Sequence, residues 1–277
     1  MSNLVIQGAE VATADLKALA KLTDGKRIER IGPNAFRIDE AQPHGDVTAL
    51  CARAQLDHAY VPTGRRLTDF GLAVMDMDST LISIECIDEI ADMQGIKAEV
   101  AAITAAAMRG ELDYAQSLRR RVQLLAGLDE DALERVYRDR LQLTPGAERL
   151  LKGLRAQRIR TLLVSGGFDF FTERLKARLA IDFTCANRLE VVGGKLTGRL
   201  LGEIVDAHGK AAELVRIRAS LGLTRSQVIG IGDGANDLPF LQESGVSIAF
   251  RAKPAVRQAT THCLDYVGLD GVLNLFE

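Results

Sequence analysis

The spacing of apolar residues along this chain changes from stretch to stretch, and the changes mark out elements. Near the start, Leu4-Val5-Ile6 reads as extended, Ala14 to Leu22 as a helix and Arg27 to Ile31 as extended. Asn34 to Ile38 reads as a strand after the Gly32-Pro33 turn, Asp46 to Ala54 as a helix, and Ala59-Tyr60-Val61 as a closing strand. That order, β-α-β-β-α-β, can fold as a small sheet with helices on one face, and Pro62-Thr63-Gly64-Arg65-Arg66 reads as the linker that follows it. Beyond the linker, Leu72-Ala73-Val74-Met75 is apolar without alternation, as a parallel strand covered on both faces requires. The stretch from Ile84 to Leu143 has helical spacing and no β-rich run, which predicts a helical cap inserted into a sheet.

Strand and helix patterns then alternate. Ala147 to Gln157 is helical, Thr161 to Val164 extended, Lys210 to Leu221 helical, and Val228 to Ile231 and Val246 to Phe250 extended. A hairpin is expected around Gly193-Gly194, because that pair can supply positive φ at both turn positions. The pattern predicts an α/β fold: a doubly wound, Rossmann-like parallel sheet with an inserted helical cap and a small N-terminal α+β domain. The expected division is residues 1–69 and 70–277, with the cap at about 84–143.

Composition narrows the class. The chain has 277 residues, with 35 Lys and Arg against 37 Asp and Glu, so no excess of positive charge favours nucleic acid as a partner. Four dispersed cysteines, Cys51, Cys86, Cys185 and Cys263, form no C-x-x-C pair and read as reduced, mostly buried thiols rather than zinc ligands. No window approaches a membrane span and the first residues carry no leader pattern, so a cytoplasmic protein is expected. Self-association as a homodimer is left open.

Candidate chemistry sits where the strands end. Asp76 and Asp78 stand two positions apart just beyond Leu72 to Met75, where parallel sheets collect their ligands, and suggest a nucleophile and an acid. Taken alone, Asp78-Ser79 would read as a turn and cap, and only the segments that follow reverse that reading. Ser165-Gly166-Gly167 follows the next strand and precedes a helix beginning near Phe168, an arrangement of hydroxyl and amides suited to a phosphate oxygen but also, taken alone, a common loop. Gly232-Asp233-Gly234-Ala235-Asn236-Asp237 follows a third strand, and its carboxylates are hard oxygen ligands suited to Mg²⁺. Lys210 begins a helix without an obvious cap and is either a solvated lysine or, in a phosphate site, a point charge on the transferred group. In the cap, Tyr114, Leu118, Arg121, Val122 and Leu125 share one helical face, so Arg121 either snorkels at the edge of an apolar stripe or meets an anion inside.

These segments together resemble the haloacid dehalogenase superfamily and, within it, the phosphoserine phosphatases. The matching pieces are DMDST at Asp76, IECIDEIA from Ile84, MRGELDYAQSLRRRV from Met108, SGGF at Ser165, NRLEVVGGKLTG from Asn187, DAHGK at Asp206 and GDGANDLP at Gly232. The resemblance implies Asp76 as a nucleophile that becomes an aspartyl-phosphate, and Asp78 as the acid and then the base. It implies Mg²⁺ held by the Asp76 and Asp233 side chains and the Asp78 carbonyl, with Asp237 behind them. Ser165, Gly166, Asn236 and Lys210 would hold the phosphoryl group. Arg121 would take the carboxylate and Glu85 the ammonium of phosphoserine, with Met108 and Tyr114 lining the pocket, although the family often has phenylalanine where Tyr114 stands. Phe168 and Phe171 read as core. An acid at Asp78 also sets the pattern apart from relatives that dehalogenate or pump ions. Other phosphomonoesters, transfer to an alcohol, or serine sensing by the N-terminal module, whose element order is ACT-like, remain alternatives.

Overall fold

The computed structural model describes residues 1–277. The N-terminal segment, residues 2–62, forms its own four-stranded sheet from β1 (Ser2–Gly8), β2 (Arg27–Gly32), β3 (Ala35–Asp39) and β4 (Leu56–Pro62), with α1 (Thr13–Leu22) after β1 and α2 (Asp46–Arg53) before β4. The strands run in the order β2-β3-β1-β4, with every neighbouring pair antiparallel. Alternation along β1 explains the layering. Leu4 and Ile6 pack with Leu16, Leu19, Val47 and Cys51 of the two helices, while Val5 joins the main core of the molecule. Both faces of this sheet are therefore covered, one by its own helices and one by the rest of the chain.

A seven-stranded sheet follows. Its central strand is β5 (Leu72–Asp76), and the remaining strands are β6 (Arg160–Phe168), β7 (Phe183–Val192), β8 (Lys195–Leu201), β9 (Val228–Gly232), β10 (Val246–Phe250) and β11 (His262–Leu264). The order is β11-β10-β9-β5-β6-β7-β8, parallel throughout except for the antiparallel β7-β8 hairpin. From β5 the chain winds one way to β6 and β7 and later the other way to β9, β10 and β11, so the direction reverses between β5 and β9. A crevice opens at such a point beyond the strand ends.

The uninterrupted apolar run of β5 is explained by two cores. Leu72 and Val74 pack with Leu214 and Ile217 of α9 (Ala207–Ser220), Phe240 and Leu241 of α10 (Leu238–Gln242), and Val256 of α11 (Pro254–Ala259). Ala73 and Met75 face the other way, toward α7 (Ala147–Ala156) and α8 (Asp169–Leu179). The cap consists of α3 (Cys86–Gln94), α4 (Lys97–Met108), α5 (Tyr114–Gln123) and α6 (Asp131–Asp139). No helix is long and apolar enough to cross a membrane.

Several details differ from the sequence expectation. The helix carrying Lys210 begins earlier, at Ala207, because the Asp206 carboxylate caps it by accepting from the Gly209 amide at 2.8 Å, which leaves Lys210 one turn inside. β6 continues through Phe168, so the helix starts at Asp169 and the serine-glycine segment belongs to the strand end. β7 is ten residues long where the hairpin expectation needed only Leu189 to Val192, since its first half pairs with β6 and its second with β8. The residue 62–66 linker is laced to the C-terminus: Leu67 N donates to Glu277 O at 3.3 Å and Glu277 N to Arg65 O at 2.9 Å. Cys51 and Cys86 are buried, but Cys185 and Cys263 are only half-buried.

Candidate active site

β5 ends at Asp76, and the following turn, Met77–Leu81, bends sharply with Ser79 in the left-handed region at φ 57°. This bend brings Asp78 back over the end of the strand. Asp76 Oδ1 accepts from Lys210 Nζ at 2.6 Å, and the same ammonium donates to Asp237 Oδ1 at 2.9 Å. Lys210 is 1% exposed and Asp237 is fully buried, so this is an internal ion cluster rather than a surface bridge. Asp237 Oδ2 accepts from the Asp233 and Gly234 amides at 3.0 Å each. With Lys210 on one oxygen and two amides on the other, Asp237 serves as a support. Asp233 Oδ1 accepts from the Thr80 hydroxyl at 3.1 Å.

Carboxylate oxygens of Asp76, Asp233 and Asp237 lie within 4.8 Å of one another. Three carboxylates against one lysine leave an excess of negative charge in a buried place, and burial together with the charge of Asp237 raises the Asp76 carboxyl well above its usual range. Burial and Asp237 likewise push Asp233 up to about 6. Lys210 resists the opposite pull: burial alone would lower it, yet Asp76 and Asp237 raise it above the ordinary lysine value. Crowded carboxylates that raise one another in this way, offering only hard oxygens, are what a small divalent cation would relieve, so the residues present fit a Mg²⁺-like ion.

Asp78 is tuned separately. Its Oδ1 accepts from the Cys86 amide at 2.9 Å, and Ser165 Oγ donates to its Oδ2 at a long 3.4 Å. Burial first, then the charge of Glu85, push its carboxyl up to about 7 against the pull of the Cys86 amide. A carboxyl near neutrality can give up a proton and take one back in the same pH range. Glu85 itself accepts from the Ser79 hydroxyl at 2.7 Å, so the bend after β5 also orients this residue.

The serine-glycine segment approaches so closely that side chains are excluded. A Cβ at Gly167 would stand 2.8 Å from Asp78 Oδ2, and one at Gly166 would stand 2.2 Å from the Tyr114 hydroxyl. That hydroxyl donates to Gly166 O at 3.0 Å and connects the cap to the sheet. Tyr114 opens α5, which Asp113 caps by accepting from the Gln116 amide at 2.7 Å. Further along α5, Leu118 and Val122 are buried and Arg121 turns toward the same cleft, its Nε shielded from solvent without a hydrogen-bond partner.

The cleft has a volume of about 540 Å³. Asp76, Asp78, Glu85, Met108, Tyr114, Arg121, Gly166, Lys210, Asp233 and Asn236 all line it, so the segments singled out in the sequence converge in one place. Met108 sits at the rim, 76% exposed. Ser165 is fully buried beneath the lining, reaching it through its bond to Asp78. Phe171 is core, as expected, while Phe168 is both core and cleft wall. Sequence reasoning missed Asp88 and Lys253 on the wall. Lys253 lies on the loop before α11, with its amide donating to Asp233 O at 3.1 Å, and makes no ion pair. An Ala-Lys-Pro loop carries no spacing signal that would have revealed it.

Comparison with known proteins agrees with this geometry. Residues 73–242 match the model of the haloacid dehalogenase-like hydrolases, and residues 4–47 match a domain of unknown function. A phosphoserine phosphatase of Albidiferax ferrireducens is 50% identical over 217 residues, covering 76% of this chain and 92% of that protein. Among solved structures, a haloacid dehalogenase family hydrolase of Salmonella enterica serovar Typhi superposes with a TM-score of 0.90 at 32% identity, over 100% of this chain and 99% of that one. The unliganded probable phosphoserine phosphatase of Vibrio cholerae gives 0.88 at 35% identity, over 99% and 85%. With a matching family model over most of its length and a relative of this similarity, the chain belongs to the haloacid dehalogenase-like hydrolases.

Proposed function

We propose that the chain is a Mg²⁺-dependent phosphoserine phosphatase that hydrolyses O-phospho-L-serine to L-serine and phosphate, the last step of the phosphorylated route to serine in the cytoplasm. One observation carries the reading above all. A single cleft joins the Asp76, Lys210 and Asp78 cluster to Glu85 and to an arginine whose Nε lacks a partner, and these are complementary to a phosphate, an ammonium and a carboxylate on one small molecule. In this reading residues 1–69 form an N-terminal domain, residues 70–277 the phosphatase domain, and residues 84–143 a cap that excludes water from the cleft.

Asp76 would attack the phosphorus while Asp78 delivers its proton to the departing serine oxygen, so the phosphorus–oxygen bond to serine breaks as the bond to Asp76 forms. Asp78, now ionised, would take a proton from water as that water attacks the aspartyl-phosphate, releasing phosphate and restoring Asp76. Lys210 holds one oxygen of Asp76, a residue of the cleft wall, and would leave the other for the attack. Ser165, Gly166 and Asn236 would hold the phosphoryl oxygens. A divalent ion held by the side chains of Asp76 and Asp233 and the carbonyl of Asp78, supported by Asp237, would neutralise charge between carboxylate and ester.

Phosphate release from a panel of phosphomonoesters, with Mg²⁺ and with chelator, tests this. Phosphoserine should be the preferred substrate, chelation should stop release, and Asp76→Asn should fold yet form no acid-stable phosphoenzyme. Equal turnover after complete metal stripping, or undiminished activity of Asp76→Asn, would overturn it.

A further inference from the structure

One motif has no place in the chemistry above: the Asn187 that opens NRLEVVGG. It is 2% exposed and lies outside the cleft lining, yet it makes three hydrogen bonds. Its Nδ2 donates to Gly166 O at 2.9 Å and to Val205 O at 3.3 Å, and its Oδ1 accepts from the Val205 amide at 2.8 Å. The Val205 amide needs an acceptor, which fixes the orientation of the carboxamide and aims its donors at Gly166.

The pairing of β6 with β7 explains why an amide is needed there. Val164 pairs with Cys185 and Phe168 with Asn187, so four steps along β6 oppose two along β7. The extra length throws Ser165, Gly166 and Gly167 out of the ladder as a bulge, where backbone groups lose their usual partners. Asn187 stands in for the missing strand and joins the bulge to the segment that enters α9, the helix of Lys210.

Gly166 O and the Gly167 amide belong to one peptide plane and point in opposite directions. Tyr114 and Asn187 occupy the two lone pairs of that oxygen at 3.0 and 2.9 Å, which fixes the plane. The Gly167 amide then donates to Ser165 Oγ at 2.8 Å. A serine oxygen that accepts from behind must direct its own proton elsewhere, and here the direction is toward Asp78, which lines the cleft.

We propose that Asn187 and Tyr114 are a positioning pair that locks the Gly166–Gly167 peptide and thereby aims the Ser165 hydroxyl at the phosphoryl group of a bound ester. This rests on the phosphatase reading above but not on phosphoserine as the substrate. The lesion from losing either residue lies at the phosphoryl end, so it falls alike on every phosphomonoester.

A double-mutant cycle with Ser165→Ala tests it, run on phosphoserine and on p-nitrophenyl phosphate. Asn187→Leu should lower kcat/KM about ten-fold or more on both substrates. In the Ser165→Ala background it should cost less than about two-fold, because the group it aims is gone. Losses that multiply in full across the cycle, or no loss in Asn187→Leu, would overturn the proposal. Should Asn187→Leu not fold, Tyr114→Phe decides by the same cycle, with an expected loss of about three-fold that disappears beside Ser165→Ala. A wild-type enzyme that cleaves the aryl ester but not phosphoserine would refute the substrate reading and leave this one standing or falling on the cycle alone.

Discussion

A buried guanidinium atom without an anion or carbonyl to receive its proton costs free energy, and a ligand that supplies the partner recovers it. Arg121 Nε is such an atom, about two turns along α5 from Tyr114, and unlike the equally unpartnered Arg37 Nε it belongs to a residue that lines the cleft. Arg121→Ala should therefore raise KM for phosphoserine by about 10- to 100-fold, the worth of a charge-assisted hydrogen bond. KM for an aryl phosphate, which has no carboxylate, should change by no more than about three-fold. Steady-state kinetics on both substrates measures the difference, and equal losses would remove Arg121 from recognition. At this scale much was legible: the spacing of Asp76 and Asp78, the odd arginine on an apolar stripe, and the glycines beside Ser165 each signalled in one dimension. Asn187 and Lys253 did not, because their significance lies in partners 21 and 20 positions away, Gly166 and Asp233.

Most elements arose where apolar periodicity placed them, with errors at the ends. Lys210 was misplaced by one turn because Asp206 caps the helix from outside the periodic run. The first half of β7, Phe183 to Asn187, presents no continuous apolar signal, because most of it is only half-buried. β11, a three-residue edge strand, was not anticipated. It carries His262, which is 8% exposed and whose imidazole is pushed down to about 4, by burial first and by the charge of Arg65 second. The unfolded chain, with an ordinary histidine near 6.5, binds this proton more readily than the fold. The contribution of neutral His262 is thus complete above about pH 6.5 and is lost as pH falls toward 4, by up to about 3 kcal/mol. Denaturant unfolding of wild type and His262→Gln across that range should show a difference in stability that grows with pH. A difference independent of pH would show that His262 is not buried neutral.

At the scale of the molecule, the small N-terminal sheet is joined to the large one by polar contacts as well as by core. Asp57 of β4, 4% exposed, accepts from three successive amides just after β11: Asp265 at 2.7 Å, and Tyr266 and Val267 at 3.0 Å. Gln7 Nε2 donates to Gly271 O at 3.1 Å, Arg37 Nη2 to Phe276 O at 2.9 Å, and Val5, Ala59 and Val61 pack into the main core. Asp57→Ala would leave three amides without an acceptor and should cost about 1–3 kcal/mol, lowering the thermal midpoint by a few degrees. An unchanged midpoint would show the contact to be incidental. Local information sufficed for the two sheets, the helical insert and the acidic residues at strand ends, because periodicity of two or 3.6 and the end of an apolar run are properties of neighbouring residues. Only the folded chain decided that Lys210 is held between Asp76 and Asp237, that Asp78 is pushed to about 7, and that the N-terminal sheet is clasped by the C-terminus. Burial and the field of distant charges act through space, and neither can be read from the order of residues.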